Sequence, residues 1–242
     1  SFSLQWTRQK QKPRQRRRAI SERQAPPLMA SPDLDLRLLR KAEAVIQQRT
    51  TSLIIVVERC TNDHNYSAII RTAEALGIQQ VWLIDPTIEE GIITTSMTGK
   101  RIALTETELE QRRQHKMFAQ KATEWIAVRD FGTTTECLQA LRQGGWSVWA
   151  TDLSQCAVPL EEKDLAASDN CPLPNKLAIV MGTEAVGCSQ EMLDAADLRV
   201  YLPLRGFADS LNLSVASALV IHQVFLLEPG FKGDISEKEK HE

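Results

Sequence analysis

The sequence predicts an α/β protein with a mainly parallel sheet and helices on both faces. Three observations predict it. Short apolar, β-branched runs alternate with stretches of helical periodicity along most of the 242 residues. Two of the runs, Ser52 to Val57 and Leu177 to Met181, are almost continuously apolar, as strands covered on both faces are. Strands that alternate with helices pair most simply in parallel, through helical crossovers.

Taken in order, Leu34 to Gln48 places Leu38, Leu39, Ala42, Val45 and Ile46 at helical spacing after Pro32, with Asp33 or Asp35 as a cap. The strand Ser52 to Val57 follows, then a helix over Tyr66 to Leu76 that stops at Gly77, then a strand from Gln80 to Ile84 closed by Asp85 and Pro86. Residues 87 to 124 are Thr-rich and then charged, and read as a connection with helical pieces. Alternation resumes with strand Trp125 to Val128, helix Thr134 to Gln143, a Gly144-Gly145 break and strand Trp146 to Thr151. Strand Leu177 to Met181, helix Ser189 to Ala195, strand Leu198 to Leu202 and helix Leu211 to Leu227 complete it.

Charge divides the chain. Residues 1 to 23 carry eight basic side chains against Glu22, a net +7, leaving −9 for the rest of a chain whose total is −2. With Pro13, Pro26 and Pro27 and few apolar residues, 1 to 32 reads as a basic, flexible arm that contacts RNA phosphates, serves as an organelle transit segment or solubilises. Residues 33 to 228 read as one domain and 229 to 242 as a charged, frayed tail. No run reaches the roughly 18 apolar residues of a spanning helix. The five cysteines (Cys60, Cys137, Cys156, Cys171, Cys188) form no C-x-x-C pair, which points to reduced thiols, no metal site, and cytoplasm ahead of an organelle.

In a parallel sheet, ligands bind beyond the carboxyl ends of the strands. Three loops there carry chemistry. E-R-C-T-N-D-H-N, from Glu58 to Asn65, precedes a helix on which Arg71 stands about 200° from the apolar Ile69; the plain readings are Asn65 as a helix cap and Arg71 as a solvated cation. M-G-T-E-A-V-G-C-S, from Met181 to Ser189, has Gly182 and Gly187 for close backbone approach and Ser189 to cap the next helix. P-L-R-G-F-A-D-S-L-N-L-S, from Pro203 to Ser214, leads through Gly206 into a helix rich in small residues. Neither G-x-G-x-x-G nor G-x-x-x-x-G-K-[ST] occurs, which removes most support from a nicotinamide, flavin or nucleoside-triphosphate enzyme.

Together the three strings resemble the SpoU/TrmH-like branch of the SPOUT superfamily, RNA ribose 2′-O-methyltransferases with a deep trefoil knot. The matching motifs run from Asn65 to Gly77, Gly182 to Gly187 and Pro203 to Ser214, in family order, within about residues 34 to 228. Leu204 stands where many members carry methionine. The nearest likeness is to bacterial-type transfer-RNA guanosine 2′-O-methyltransferases that act on the D-loop; a ribosomal-RNA enzyme and a non-catalytic RNA-binding relative are the alternatives. The resemblance implies S-adenosylmethionine as cofactor, held by Ala150, Thr151, Gly182, Leu202, Leu204 and Leu213, and a homodimer spanning its RNA. It implies a catalytic set of Arg71, Asn65, Glu184, Ser210 and Asn212. Arg71 is the family's assigned base, but a guanidinium stays protonated, so clamping a phosphate and stabilising the developing alkoxide is the easier chemistry.

Overall fold

The computed structural model describes residues 32–58, 63–84, 88–89, 92–94, 101–103, 106, 125–183 and 186–235. The chain falls into two compact units, residues 1–38 and 39–242. Of the first, the described part is the opening of helix α1 (Pro32–Ile46). The arm expected over residues 1 to 32 lies outside the described residues except for Pro32.

The second unit is organised by a seven-stranded sheet. Its strands are β1 (Thr50–Glu58), β2 (Ile78–Ile84), β6 (Ala127–Phe131), β7 (Ser147–Thr151), β8 (Val158–Pro159), β9 (Leu177–Met181) and β10 (Leu198–Tyr201). They lie in the order β6-β2-β1-β9-β7-β10-β8, and every pair is parallel. β1 lies inside the sheet, as its apolar run requires: Leu53 to Val56 are wholly buried, and Leu53 to Val57 register against Leu177 to Met181 of the central strand β9.

Helices cover both faces, as the alternation predicts. On one face α2 (Asp63–Ala75) packs beside α6 (Leu213–Leu227), so that Ile69, Ile70, Val220, Ile221 and Val224 meet Leu53, Ile55 and Val57; Leu165 of the short α4 (Glu162–Ala167) joins the same core. On the other, α3 (Thr134–Gln143) and α5 (Gln190–Ala195) bring Cys137, Leu141 and Met192 against Ile54, Val56 and Val180. The alternating residues of β1 thus belong to two cores.

Several boundaries differ from expectation. The strand anticipated at Trp125 begins at Ala127 and runs to Phe131; Trp125 is exposed, and it is residues 127–131 that find β2 as a partner. The helix expected to run to Leu76 ends at Ala75, leaving Leu76 exposed, and Ile69, Ile70 and Ala73 form its buried face. Within 87 to 124, the described strands β3 (Ile88–Glu89), β4 (Ile92–Thr94) and β5 (Arg101–Ala103) form a small antiparallel sheet that the sequence did not lead us to expect; of the helical pieces expected there, Glu106 is helical and the rest lie outside the described residues.

The fraying expected after Pro229 does not hold for residues 229–235. A 3-10 turn (Pro229–Phe231) buries Phe231, and Ile235 is buried beyond it. Asp234 then accepts from Thr51 N–H at 2.7 Å, Ser52 N–H at 3.1 Å and the Thr50 hydroxyl at 3.2 Å. A carboxylate there satisfies donors at the entrance of β1 that have no ladder partner.

Candidate functional site

The adjacent strands β9, β7 and β10 end side by side at one edge of the sheet, and a cleft of about 420 Å³ opens there. That is within the size range of small-ligand sites, and its position at carboxyl ends of parallel strands is the one such sheets use. Its walls are the ends of the three strands, the turn after β9, the segment 209–213 and the first turns of α6.

The turn after β9 is built by backbone. Thr183 N–H donates to Gly187 O at 3.0 Å and Gly187 N–H to Thr183 O at 2.9 Å, closing a small antiparallel bridge. Gly187 holds φ +69°, the left-handed region, and a Cβ on Gly182 would stand 2.1 Å from the Gly187 carbonyl carbon and the Cys188 nitrogen. Gly182 is therefore the residue that lets two backbone segments touch beside the cleft. Ser189 ends the turn as the cap of α5, accepting from Met192 N–H at 3.2 Å.

Glu58, the last residue of β1, fixes that turn from behind. It is 1% exposed and accepts the Thr134 hydroxyl at 2.8 Å, the Ser189 N–H at 2.7 Å and the Ser189 hydroxyl at 2.5 Å. One carboxylate thereby joins the end of β1, the first residue of α3 and the start of α5. The sequence places it at the start of a loaded loop but gives no sign of this role, because Thr134 and Ser189 are 76 and 131 residues away. Cys188, which precedes the Ser189 that Glu58 holds, lines the cleft. Burial first, and then the Glu58 charge, push its thiol up to about 12, so it lines the cleft as a neutral group.

The third wall is tied to α2. Asn212 caps α6, its side-chain oxygen accepting from Ser214 N–H at 3.0 Å and the Ser214 hydroxyl at 2.6 Å. Its side-chain amide donates to Asn65 Oδ1 at 2.9 Å. Asn65 is inside the first turn of α2 rather than its cap, and is 5% exposed. Leu213 and Ala216, just beyond Asn212, line the cleft.

Of the six residues expected at the cofactor, Thr151, Gly182, Leu202, Leu204 and Leu213 line this cleft, drawn from four separate parts of the chain. Ala150 is fully buried in the core behind it. Of the five expected catalytic residues, Ser210 is on the lining, and Asn65 and Asn212 form the link beside it. Arg71 is on the exposed side of α2 and is not part of the lining. Glu184 lies outside the described residues. Among the described residues there is no group of His, Cys, Asp and Glu suited to a metal ion, and no helix long and apolar enough to cross a membrane.

The chain matches the model of the SpoU rRNA Methylase family over residues 93–222. It is 30% identical over 186 residues to the tRNA (guanosine(18)-2′-O)-methyltransferase of Borreliella burgdorferi, covering 77% of this chain and 72% of that protein. Its fold is similar to that of the A. aeolicus TrmH/SpoU tRNA modifying enzyme, with a TM-score of 0.61 at 23% identity over 85% of this chain and 92% of that one. It is also similar to the AdoMet-bound rRNA methyltransferase of Sinorhizobium meliloti, with a TM-score of 0.51 at 21% identity, covering 75% of this chain and 59% of the other.

Proposed function

The chain belongs to the SpoU rRNA methylase family, and we propose that it transfers a methyl group from S-adenosylmethionine to the ribose 2′-hydroxyl of a D-loop guanosine in transfer RNA. The observation that carries this reading is the convergence of Thr151, Gly182, Leu202, Leu204 and Leu213 on one cleft at the strand ends. Apolar walls suit an adenine ring, and the acidic side chains Asp152 and Asp209 suit a cation. S-adenosylmethionine, when bound, supplies a methyl group on a positively charged sulfur.

The protein's own work is placement. Gly182 and its turn, with Leu202, Leu204, Leu213 and the backbone following Ala150 and Thr151, hold the donor. Ser210 and the Asn65–Asn212 link set the wall on which the ribose rests. Arg71 clamps a substrate phosphate and stabilises the alkoxide as the hydroxyl proton leaves, while Glu184 orients that region. No carboxylate or histidine on the described lining other than Asp152 and Asp209 could take the proton, and Asp152 is engaged with Arg199 at 3.6 Å.

We further assign residues 33–228 to one methyltransferase domain with the family's trefoil knot, and the working form to a homodimer. α6 supports the dimer: it is apolar nearly all round, yet Val215, Leu219 and Leu226 are exposed on its outer side. The transfer-RNA reading rests on the names of relatives such as the B. burgdorferi enzyme; ribosomal RNA is the second reading and a non-catalytic RNA-binding relative the third. Incubation with radiolabelled S-adenosylmethionine and transfer-RNA transcripts, followed by nuclease mapping, should place label on a single guanosine ribose. Label in ribosomal RNA alone would move the substrate to the second reading, and label in no RNA would favour the third.

A further inference from the structure

The charged side chains on the described lining of the cleft have one sign. Its described lining includes Asp152 and Asp209 and no lysine, arginine or histidine. Asp152 shares Arg199 with Asp194, at 3.6 and 3.3 Å, whereas Asp209 is on the exposed loop before α6. Behind the wall is Glu58, whose three hydrogen bonds all come from neutral donors, two hydroxyls and one backbone N–H. The N–H is that of Ser189, next in sequence to the lining residue Cys188, so the Glu58 carboxylate stands one peptide unit behind the cleft surface. Neutral donors solvate a buried anion without cancelling its charge.

We propose that this anionic setting makes the cleft discriminate by charge between methyl donor and spent product, with Glu58 as the principal positioning and selecting residue. The inference rests on the donor site described above. In the transfer, the methyl–sulfur bond breaks with its electron pair going to sulfur, the methyl–oxygen bond forms at the ribose, and the hydroxyl proton is released. The ligand's sulfonium becomes a neutral thioether. Charge is therefore the main chemical difference between S-adenosylmethionine and S-adenosylhomocysteine, apart from one methyl group. A field held by a fixed carboxylate favours the first and relaxes its hold on the second. Placing the charge behind the wall rather than against the sulfur limits how strongly the reactant state is stabilised. The same charge reaches the Cys188 thiol and helps to keep it from ionising beside an alkylating ligand.

The test separates charge from bracing. Glu58→Gln keeps the shape, and its amide still accepts from the Ser189 N–H and donates to a hydroxyl; Ser189→Ala keeps the charge and removes one brace. Calorimetric titration of each protein with S-adenosylmethionine and S-adenosylhomocysteine gives the affinity ratio, a readout that a purely structural role does not move. Glu58→Gln should weaken the cationic ligand by about tenfold and the neutral one by no more than about twofold. Ser189→Ala should weaken both alike. Asp209→Asn, on an exposed residue, should shift the ratio the same way by about twofold, and high salt should reduce that shift. A ratio unchanged in Glu58→Gln overturns the proposal; if circular dichroism shows that variant unfolded, an unchanged ratio in Asp209→Asn does so. Binding of neither ligand by the unaltered protein would instead overturn the donor site itself.

Discussion

Asn65 on α2 and Asn212 at the start of α6 meet side chain to side chain at 2.9 Å, across 147 residues of sequence. The same Asn212 caps its own helix, so one residue fastens two elements. Asn212→Ala should cost about 1 to 2 kcal/mol, the usual loss of a cap plus a hydrogen bond to a nearly buried partner. Asn212→Asp keeps the cap acceptor but removes the donor facing Asn65. It should retain more thermal stability than the alanine variant while losing turnover to a similar degree, as measured by melting and single-turnover methylation.

Arg71 presents the opposite case. Its side chain is exposed, so Arg71→Ala should leave stability within about 0.5 kcal/mol. Turnover should fall by about 100-fold or more if the guanidinium meets charge in the transition state. Arg71→Lys keeps the charge without the planar fork and should recover only part of the loss. Full activity in Arg71→Ala would remove this residue from the chemistry.

The two glycines of the cleft turn should respond unequally. A Cβ at Gly187 meets nothing within 4 Å, and only its left-handed φ resists substitution, so Gly187→Ala should cost about 1 to 2 kcal/mol. Gly182→Ala drives a methyl group into backbone and should cost at least about 1 to 3 kcal/mol. It should also abolish donor binding in a titration that the Gly187 variant still supports.

The outer side of α6 predicts the oligomeric state. Sedimentation equilibrium should give twice the chain mass, and Leu219→Glu, a charge in the middle of the exposed apolar stripe, should give a monomer. A fully active monomer in the unaltered protein would end the dimer proposal.

Much of the architecture is legible in the residues because it is dictated locally. The apolar continuity of 52–57 and 177–181 identifies strands with no room for solvent on either face, and the spacing of Ile69 and Ala73 sets Arg71 on the open side of α2. Thr151, Gly182 and Leu213 are legible as neighbours only through the family resemblance. The sequence places Glu58 at the start of a loaded loop but not its role: a lone glutamate at a strand end carries no pattern, and its partners arrive from α3 and α5 only when the sheet has formed. Short strands such as β4 and β8, three and two residues long, leave too little periodicity to read.

The grip of Asp234 on the entrance of β1 sets the order of synthesis against the order of assembly. β1 leaves the ribosome early, yet its neighbour β9 begins at Leu177, and the carboxylate that completes its first residues arrives at position 234. Until then a strand whose residues 53 to 57 are apolar and buried has an open edge, the state most prone to mispairing. A nascent chain stalled before residue 177 should therefore need a chaperone, and a fusion partner at the C-terminus is best joined after Ile235, where it leaves that final clasp intact.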